Sequence, residues 1–199
     1  MKIGIMGGTF NPIHQGHLIL SEFIREDFYL DKIIFVPTGI SPHKFGHDIL
    51  DKSLRKEMLN LAIESNNNFT LSTIEIEREG KSFTIDTINE LRLLYPKDDL
   101  YMIIGADSLL ELHGWKDHDK IISSINLIVA DRYNAKDGEL VQRIQKLNKE
   151  YKGNIKRIST PIIDISSTEI RNRLGKGLSI KYLVPESVER YIIDNRLYI

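Results

Sequence analysis

The feature that most limits what this chain can become is an apolar run that ends in a glycine-rich turn and passes straight into an amphipathic helix. Met1-Lys2-Ile3-Gly4-Ile5-Met6 reads as a short buried strand, and Gly7-Gly8-Thr9-Phe10-Asn11-Pro12-Ile13-His14-Gln15-Gly16-His17 follows it. Beyond His17, Leu20, Phe23, Ile24 and Phe28 fall close to one helical face. Strand, glycine turn, helix is the opening unit of a nucleotide-binding α/β domain. The glycines let the backbone turn tightly and approach a ligand, because no Cβ intervenes. The helix start adds unpaired N–H groups and a positive dipole end, which suit phosphate.

The turn is neither G-x-G-x-x-G nor a Walker loop, because no Lys-Ser/Thr closes it. His14 and His17 take that place, three residues apart in the first helical turn and so on one side of it. Gly16 between them leaves room for a bulky ligand. Imidazole donors beside a helix N-terminus can hold phosphate oxygens. As isolated residues they would read as surface groups or a metal pair; beside Gly-Gly-Thr-Phe the phosphate reading leads.

Bulk properties exclude several classes. With 199 residues and 41% hydrophobic content the chain can bury a core of its own, and residues 1–199 read as one domain, a core over 1–160 with a helical part over 161–199. Twenty-seven basic against 28 acidic residues leave no surplus for coating nucleic acid. No apolar run approaches the ~20 residues of a membrane helix, and a cleaved leader would remove the glycine turn. The absence of cysteine removes disulfides, thiolate metal sites and cysteine catalysis. A cytoplasmic protein is the expectation, with a homo-oligomer left open.

Further along, Lys32 to Pro37 reads as a second strand, in right-handed parallel crossover from the first. The Gly- and Pro-rich loop after it carries His43 and Lys44, and a loop leaving the C-terminal end of a parallel strand faces the ligand crevice. Asp51 to Ser65 reads as a helix with Leu54, Met58, Leu61 and Ala62 inward and its Lys, Arg and Glu residues outward, broken by Asn66-Asn67-Asn68. Alternation over Phe69–Glu77 predicts a third strand. Thr84 is the expected cap of the next helix, whose inner face is Ile85, Ile88, Leu91 and Leu94 or Tyr95. Leu100 to Ile104 forms a strand running into Gly105-Ala106-Asp107-Ser108, where an acidic side chain is placed to hold ribose hydroxyls or to cap a helix. Trp115 reads as core packing or as a ring for stacking on a base. A strand over residues 126–132, a charged helix over 138–151 and a last strand over 155–159 lead to Ile165-Ser166-Ser167-Thr168-Glu169-Ile170-Arg171. There the hydroxyl residues can cap a helix, with Arg171 on the same side of its first turn. Residues 185–198 read as a short helix packing Val188, Tyr191 and Ile192.

In chain order, Gly-Gly-Thr-Phe with His14-x-Gly16-His17, His43-Lys44, Ser82-Phe83-Thr84, Ile104-Gly105-Ala106-Asp107 with Trp115, and Ser166-Ser167-Thr168-x-Ile170-Arg171 resemble the nucleotidylyltransferase superfamily. The Ser-Phe-Thr and Trp115 elements resemble its nicotinate-mononucleotide adenylyltransferase branch. The resemblance implies a Rossmann-like parallel sheet with flanking helices, and transfer of AMP from ATP to nicotinate mononucleotide in NAD synthesis. It implies ATP contacts from Gly7, Gly8, Thr9, Phe10, His14, His17, Gly105, Asp107, Ser167, Thr168 and Arg171. Acceptor contacts fall to Lys44, Thr84, Asp107 and Trp115, and the catalytic set to His14, His17, Lys44 and Arg171. Mg²⁺ is expected to ride on ATP, with no metal ligands from the protein. Tyr133-Asn134 departs from the Pro-Gly that follows Arg132 in the family. The rival readings are pantetheine-phosphate adenylyltransferase, which shares the first and last motifs, a cytidylyltransferase, and a nucleotide sensor without chemistry. Acceptor and CTP-against-ATP assays separate the enzymes, and pyrophosphate release excludes the sensor.

Overall fold

Period-two alternation in β1 (Lys2–Gly8) sends Ile3 and Ile5 to one apolar layer and Met6 to the other. A strand buried on both faces in this way belongs inside a parallel sheet covered by helices on both sides. The computed structural model describes residues 1–42, 49–132, 137–161 and 163–199, the side chains of residues 132 and 137 excepted. Beside β1 lie β2 (Lys32–Pro37), β3 (Phe69–Leu71), β4 (Asp99–Gly105), β5 (Asn126–Arg132) and β6 (Asn154–Thr160). The six strands run in the order β3-β2-β1-β4-β5-β6, every neighbouring pair parallel. This is a Rossmann-like sheet, and its order reverses between β1 and β4. At such a switch point the connections leave in opposite directions and open a crevice beyond the strand ends.

Helices α1 (Gln15–Asp27) and α2 (Lys52–Ile63) cover one face. The short α3 (Ile74–Glu77), α4 (Thr84–Leu94), α5 (Ala106–Leu110), α6 (His118–Ser124) and α7 (Asp137–Tyr151) follow in sequence, with α4, α6 and α7 on the opposite face. After β6 come α8 (Ser167–Gly175) and α9 (Glu186–Asp194), which return to the α1–α2 side. Val188 and Ile192 of α9 are fully buried there. At about 1.5–3 kcal/mol each, they contribute several kcal/mol to docking the C-terminal helices on the layer that carries the glycine turn. No helix among the described residues is long and apolar enough to cross a membrane.

Several local expectations are corrected. The strand read over residues 69–77 ends at Leu71, where Ser72 N–H still reaches the Phe35 carbonyl, and Ile74–Glu77 form a helical turn instead. Tertiary contact overrides the alternation, because Glu75 is buried and its carboxylate accepts from Thr87 Oγ1 of α4 at 2.7 Å. Thr84 does not cap α4; it is the first helical residue, and Phe83 precedes it as the cap position. Gly105 holds that position for α5, so neither Asp107 nor Ser108 is a cap. In α1, Phe23 is exposed while Ile24 is fully buried, so the inner face is narrower than read. Tyr95, half-buried, rather than the exposed Leu94, completes the α4 face. In α2 the buried stripe is rotated to Met58, Leu59, Ala62 and Ile63, and it takes in Arg55, which the helical pattern places outward.

Candidate active site

The glycine turn is built differently from a bare Gly-Gly loop. Gly7 and Gly8 belong to β1, and the reversal comes after them, at Phe10, which adopts φ 48. That left-handed conformation is costly for a side chain with a Cβ and persists only where packing dictates it. Phe10 supplies the packing: it is buried, meets the Phe35 ring at 5.9 Å and contacts His17 edge-on at 5.1 Å. Its role is therefore to support His17 from the core.

His14 sits at the N-cap position of α1 with extended backbone, and His17 lies in the first turn. Their rings stack, with centroids 3.7 Å apart. His17 Nδ1 accepts from the His14 backbone N–H at 3.3 Å, so a neutral His17 carries its proton on Nε2 and presents a donor there. Gly16 has a structural reason beyond ligand room: a Cβ at that position would stand 3.1 Å from His14 Nδ1 and press on the ring.

Two chambers open at the switch point. The first, about 350 Å³, is lined by Gly7, Gly8, Thr9, His17, Thr38, Glu75, Ser82, Phe83, Thr84, Gly105, Ser108, Trp115 and Lys116, among others. The second, about 360 Å³, takes His14, Gly16, His17, Gly105, Thr160, Ser166, Ser167 and Thr168. His17, Leu20 and Gly105 belong to both. Each volume lies in the range of small-molecule sites.

The last motif reaches the first one directly. Ser166 caps α8 by accepting from Glu169 N–H at 3.1 Å, and Ser167 Oγ donates to the Pro12 carbonyl at 2.8 Å. Arg171 donates to the Asn11 carbonyl at 2.9 Å and to Thr168 Oγ1 at 3.4 Å. Arg171 is thus anchored by uncharged oxygens beside the second chamber, without lining it. Asp107 is exposed and lines neither chamber, whereas its neighbours Gly105 and Ser108 do. Lys44 and Tyr133-Asn134 lie outside the described residues. Gly7, Gly8 and Thr9 share the first chamber with Thr84 and Trp115.

Five residues hold positions here that the sequence does not announce. Arg55, 2% exposed, donates to the carbonyls of Thr9 (2.7 Å), Leu50 (3.0 Å) and Gly39 (3.2 Å) and makes no ion pair among the described residues. It ties the glycine turn to both ends of the loop that follows β2. Glu75, in the wall of the first chamber, has its carboxyl pushed above the ordinary carboxylate range by burial, against the opposing Thr87 hydroxyl and the charge of Arg78. Arg78 donates to Thr87 Oγ1 at 3.2 Å and pairs with Glu90 at 2.8 Å, which fixes α4 against this wall. Asn11 was visible inside the first motif but carried no assigned role. Tyr198, whose hydroxyl donates to Asn11 Oδ1 at 2.8 Å, gave no signal at all.

Residues 5–173 match the family model described as cytidylyltransferase-like, and the chain belongs to that family. Within it, a protein of Thermoanaerobacter sp. (strain X514) named probable nicotinate-nucleotide adenylyltransferase is 46% identical over 199 residues, covering all of this chain and 94% of the relative. One of the same name from Dictyoglomus thermophilum is 44% identical, with both chains covered completely. Among solved structures, the Plasmodium falciparum nicotinic acid mononucleotide adenylyltransferase complexed with NaAD superposes with a TM-score of 0.81 over 99% of this chain and 97% of that one. At 22% identity that likeness speaks for the fold.

Proposed function

We propose that the crevice joins ATP to nicotinate mononucleotide, giving the deamido dinucleotide and pyrophosphate. The observation that carries this reading is that the two chambers adjoin at His17, Leu20 and Gly105, with the His14–His17 pair and the α8 N-terminus on one side and Thr84 and Trp115 on the other. Close, full-length relatives of this name support it.

ATP takes the second chamber, with its phosphates towards His14, His17, Ser167, Thr168 and Arg171, and the mononucleotide takes the first. An oxygen of the mononucleotide phosphate attacks the ATP α-phosphorus as the bond to the β-phosphate oxygen breaks, and pyrophosphate leaves. The attacking phosphate is already anionic, so no general base is required. Catalysis then rests on alignment and on fixed donors around the growing negative charge. His17 Nε2 supplies such a donor at the junction, while Gly7, Gly8 and Thr9 offer backbone close to the reacting phosphates. Arg171 and Lys44 contribute charge to the leaving pyrophosphate, Arg171 with a planar fork suited to phosphate oxygens. Asp107, outside both chambers, keeps only a role in holding ribose at the rim. Trp115 stacks on the pyridine ring.

ATP arrives with Mg²⁺ on its own oxygens. The donor set fits this, since Glu75 is the only carboxylate among the described lining residues of either chamber, and Mg²⁺ prefers to keep water when carboxylates are few. The whole chain acts as one nucleotidyltransferase unit, in the cytoplasm. The test is a steady-state assay with ATP and nicotinate mononucleotide, following pyrophosphate and dinucleotide together. Nicotinamide mononucleotide, pantetheine phosphate and CTP serve as comparators. Turnover confined to pantetheine phosphate or to CTP, or no pyrophosphate with any pair, would overturn the reading.

A further inference from the structure

Five hydrogen bonds converge on the short turn from Thr9 to Pro12, and they come from parts of the chain far apart in sequence. The Asn11 carboxamide oxygen accepts from Leu50 N–H at 3.2 Å and from Tyr198 O–H at 2.8 Å. The Asn11 carbonyl accepts from Arg171, the Pro12 carbonyl from Ser167, and the Thr9 carbonyl from Arg55. Asn11 is itself only 5% exposed. Its two oxygens thus face different duties, one held by structural donors and one holding the arginine. With the side chain pinned at Oδ1 by Leu50 and Tyr198, the Asn11 Cα and the peptide that follows it have less room to shift, and that peptide carries the carbonyl on which Arg171 rests.

Tyr198 is well placed to prevent that. It follows α9 in a left-handed conformation, φ 65, and Leu197 beside it is buried, its N–H on the Ile192 carbonyl at 2.9 Å. Burial raises the phenol far above its ordinary value, against the opposing charges of Arg171 and Arg55, so the hydroxyl stays protonated and donates throughout the working pH range.

We propose that Tyr198 is a positioning residue for the adenylyl transfer, its hydroxyl fixing the Asn11 side chain so that the Asn11 carbonyl holds Arg171 in the attitude that meets the triphosphate. This rests on the triphosphate role of Arg171 given above.

The test is a double-mutant cycle with Tyr198→Phe and Arg171→Ala, measured with ATP and nicotinate mononucleotide well below the melting temperature of each variant. Tyr198→Phe keeps the ring and its packing while removing one hydroxyl. The expected result is a kcat lowered about fivefold to tenfold, with the KM for the mononucleotide within about twofold of wild type. In the Arg171→Ala background the same substitution should change kcat by less than about twofold, because the group it positions is gone. An unchanged kcat in Tyr198→Phe, even with a lowered melting temperature, would make the hydroxyl merely structural and overturn the proposal. Equal factors in both backgrounds would overturn it too, while leaving Arg171 in its role. Should Arg171→Ala alone leave turnover and ATP affinity untouched, the arginine assignment fails, and this inference with it.

Discussion

The two walls of the crevice are made in opposite ways. In the second chamber the groups that face the ligand sit on single helical turns, His14, Gly16 and His17 on one and Ser166, Ser167 and Thr168 on another, and the Ser167 hydroxyl joins the two at the Pro12 carbonyl. The wall of the first chamber is instead held by buried polar side chains. Glu75 of α3 and Arg78 at its C-terminal end meet Thr87 of α4, and Arg55 reaches across to Thr9, Gly39 and Leu50. A local wall can be altered at one residue with little effect on the fold. A wall held by buried polar groups cannot, because each donor or acceptor left unmet costs about 1–3 kcal/mol. Chemistry and architecture are thus separable on one side of the site and fused on the other.

The largest effect that would sharpen this contrast is expected at His17. His17→Ala should lower kcat by about 10²–10³-fold, the size seen when one donor to a developing oxyanion is removed, with the melting temperature nearly unchanged. The mononucleotide KM should stay close to wild type; an equal rise in KM and fall in kcat would contradict a transition-state role. Arg55→Met should show the reverse pattern. It strips donors from three carbonyls and should cost about 3–5 kcal/mol in chemical denaturation. If Arg55→Met proved as stable as wild type, the contrast between the walls would be lost.

Gly39→Ala comes next. A Cβ there would stand 2.1 Å from the Glu75 carbonyl oxygen, which is backbone and cannot swing away. The substitution should cost about 1–3 kcal/mol as the loop after β2 is pushed off α3, and it should raise the mononucleotide KM more than the ATP KM. Equal changes in both would show that the two chambers are not independent.

The smallest effect is a pH dependence. The folded-state value of Glu75 lies above its ordinary 4.5, so the folded protein binds this proton more tightly than the unfolded chain does. The associated stability is complete below pH 4.5 and is lost as pH rises through the folded value. Glu75→Gln should therefore flatten the stability profile above pH 4.5, gaining most at neutral pH relative to wild type. A profile parallel to wild type would show that the carboxyl titrates normally.

The same contrast explains what could be read before the structure. The Rossmann-like sheet was legible because its strands are short apolar runs set between helical stretches, and Lys32–Pro37 and Asn126–Arg132 have the bounds the sequence predicts. The His14–His17 pair and the α8 cap were legible because their partners lie three residues away. Around Glu75 the alternation of Ile74 and Ile76 with acids mimics a strand, a pattern that says nothing of Thr87 on another helix. Arg55 read as solvent-facing because charged residues on helices usually are. Only the three carbonyls converging from Thr9, Gly39 and Leu50 make its burial tolerable, and backbone carbonyls leave no mark in a sequence. Tyr198 was hidden by distance alone, since its partner, the Asn11 side chain, lies 187 positions away.

One imidazole, that of His17, forms part of both chambers. A compound filling either space alone leaves the other substrate free to dock and can be outcompeted by only one of the two. A compound long enough to thread past that ring excludes both at once, and its linker has to offer acceptors to an N–H at its middle. The narrow shared wall therefore sets the outline of an inhibitor as firmly as it sets the path of the transferred group.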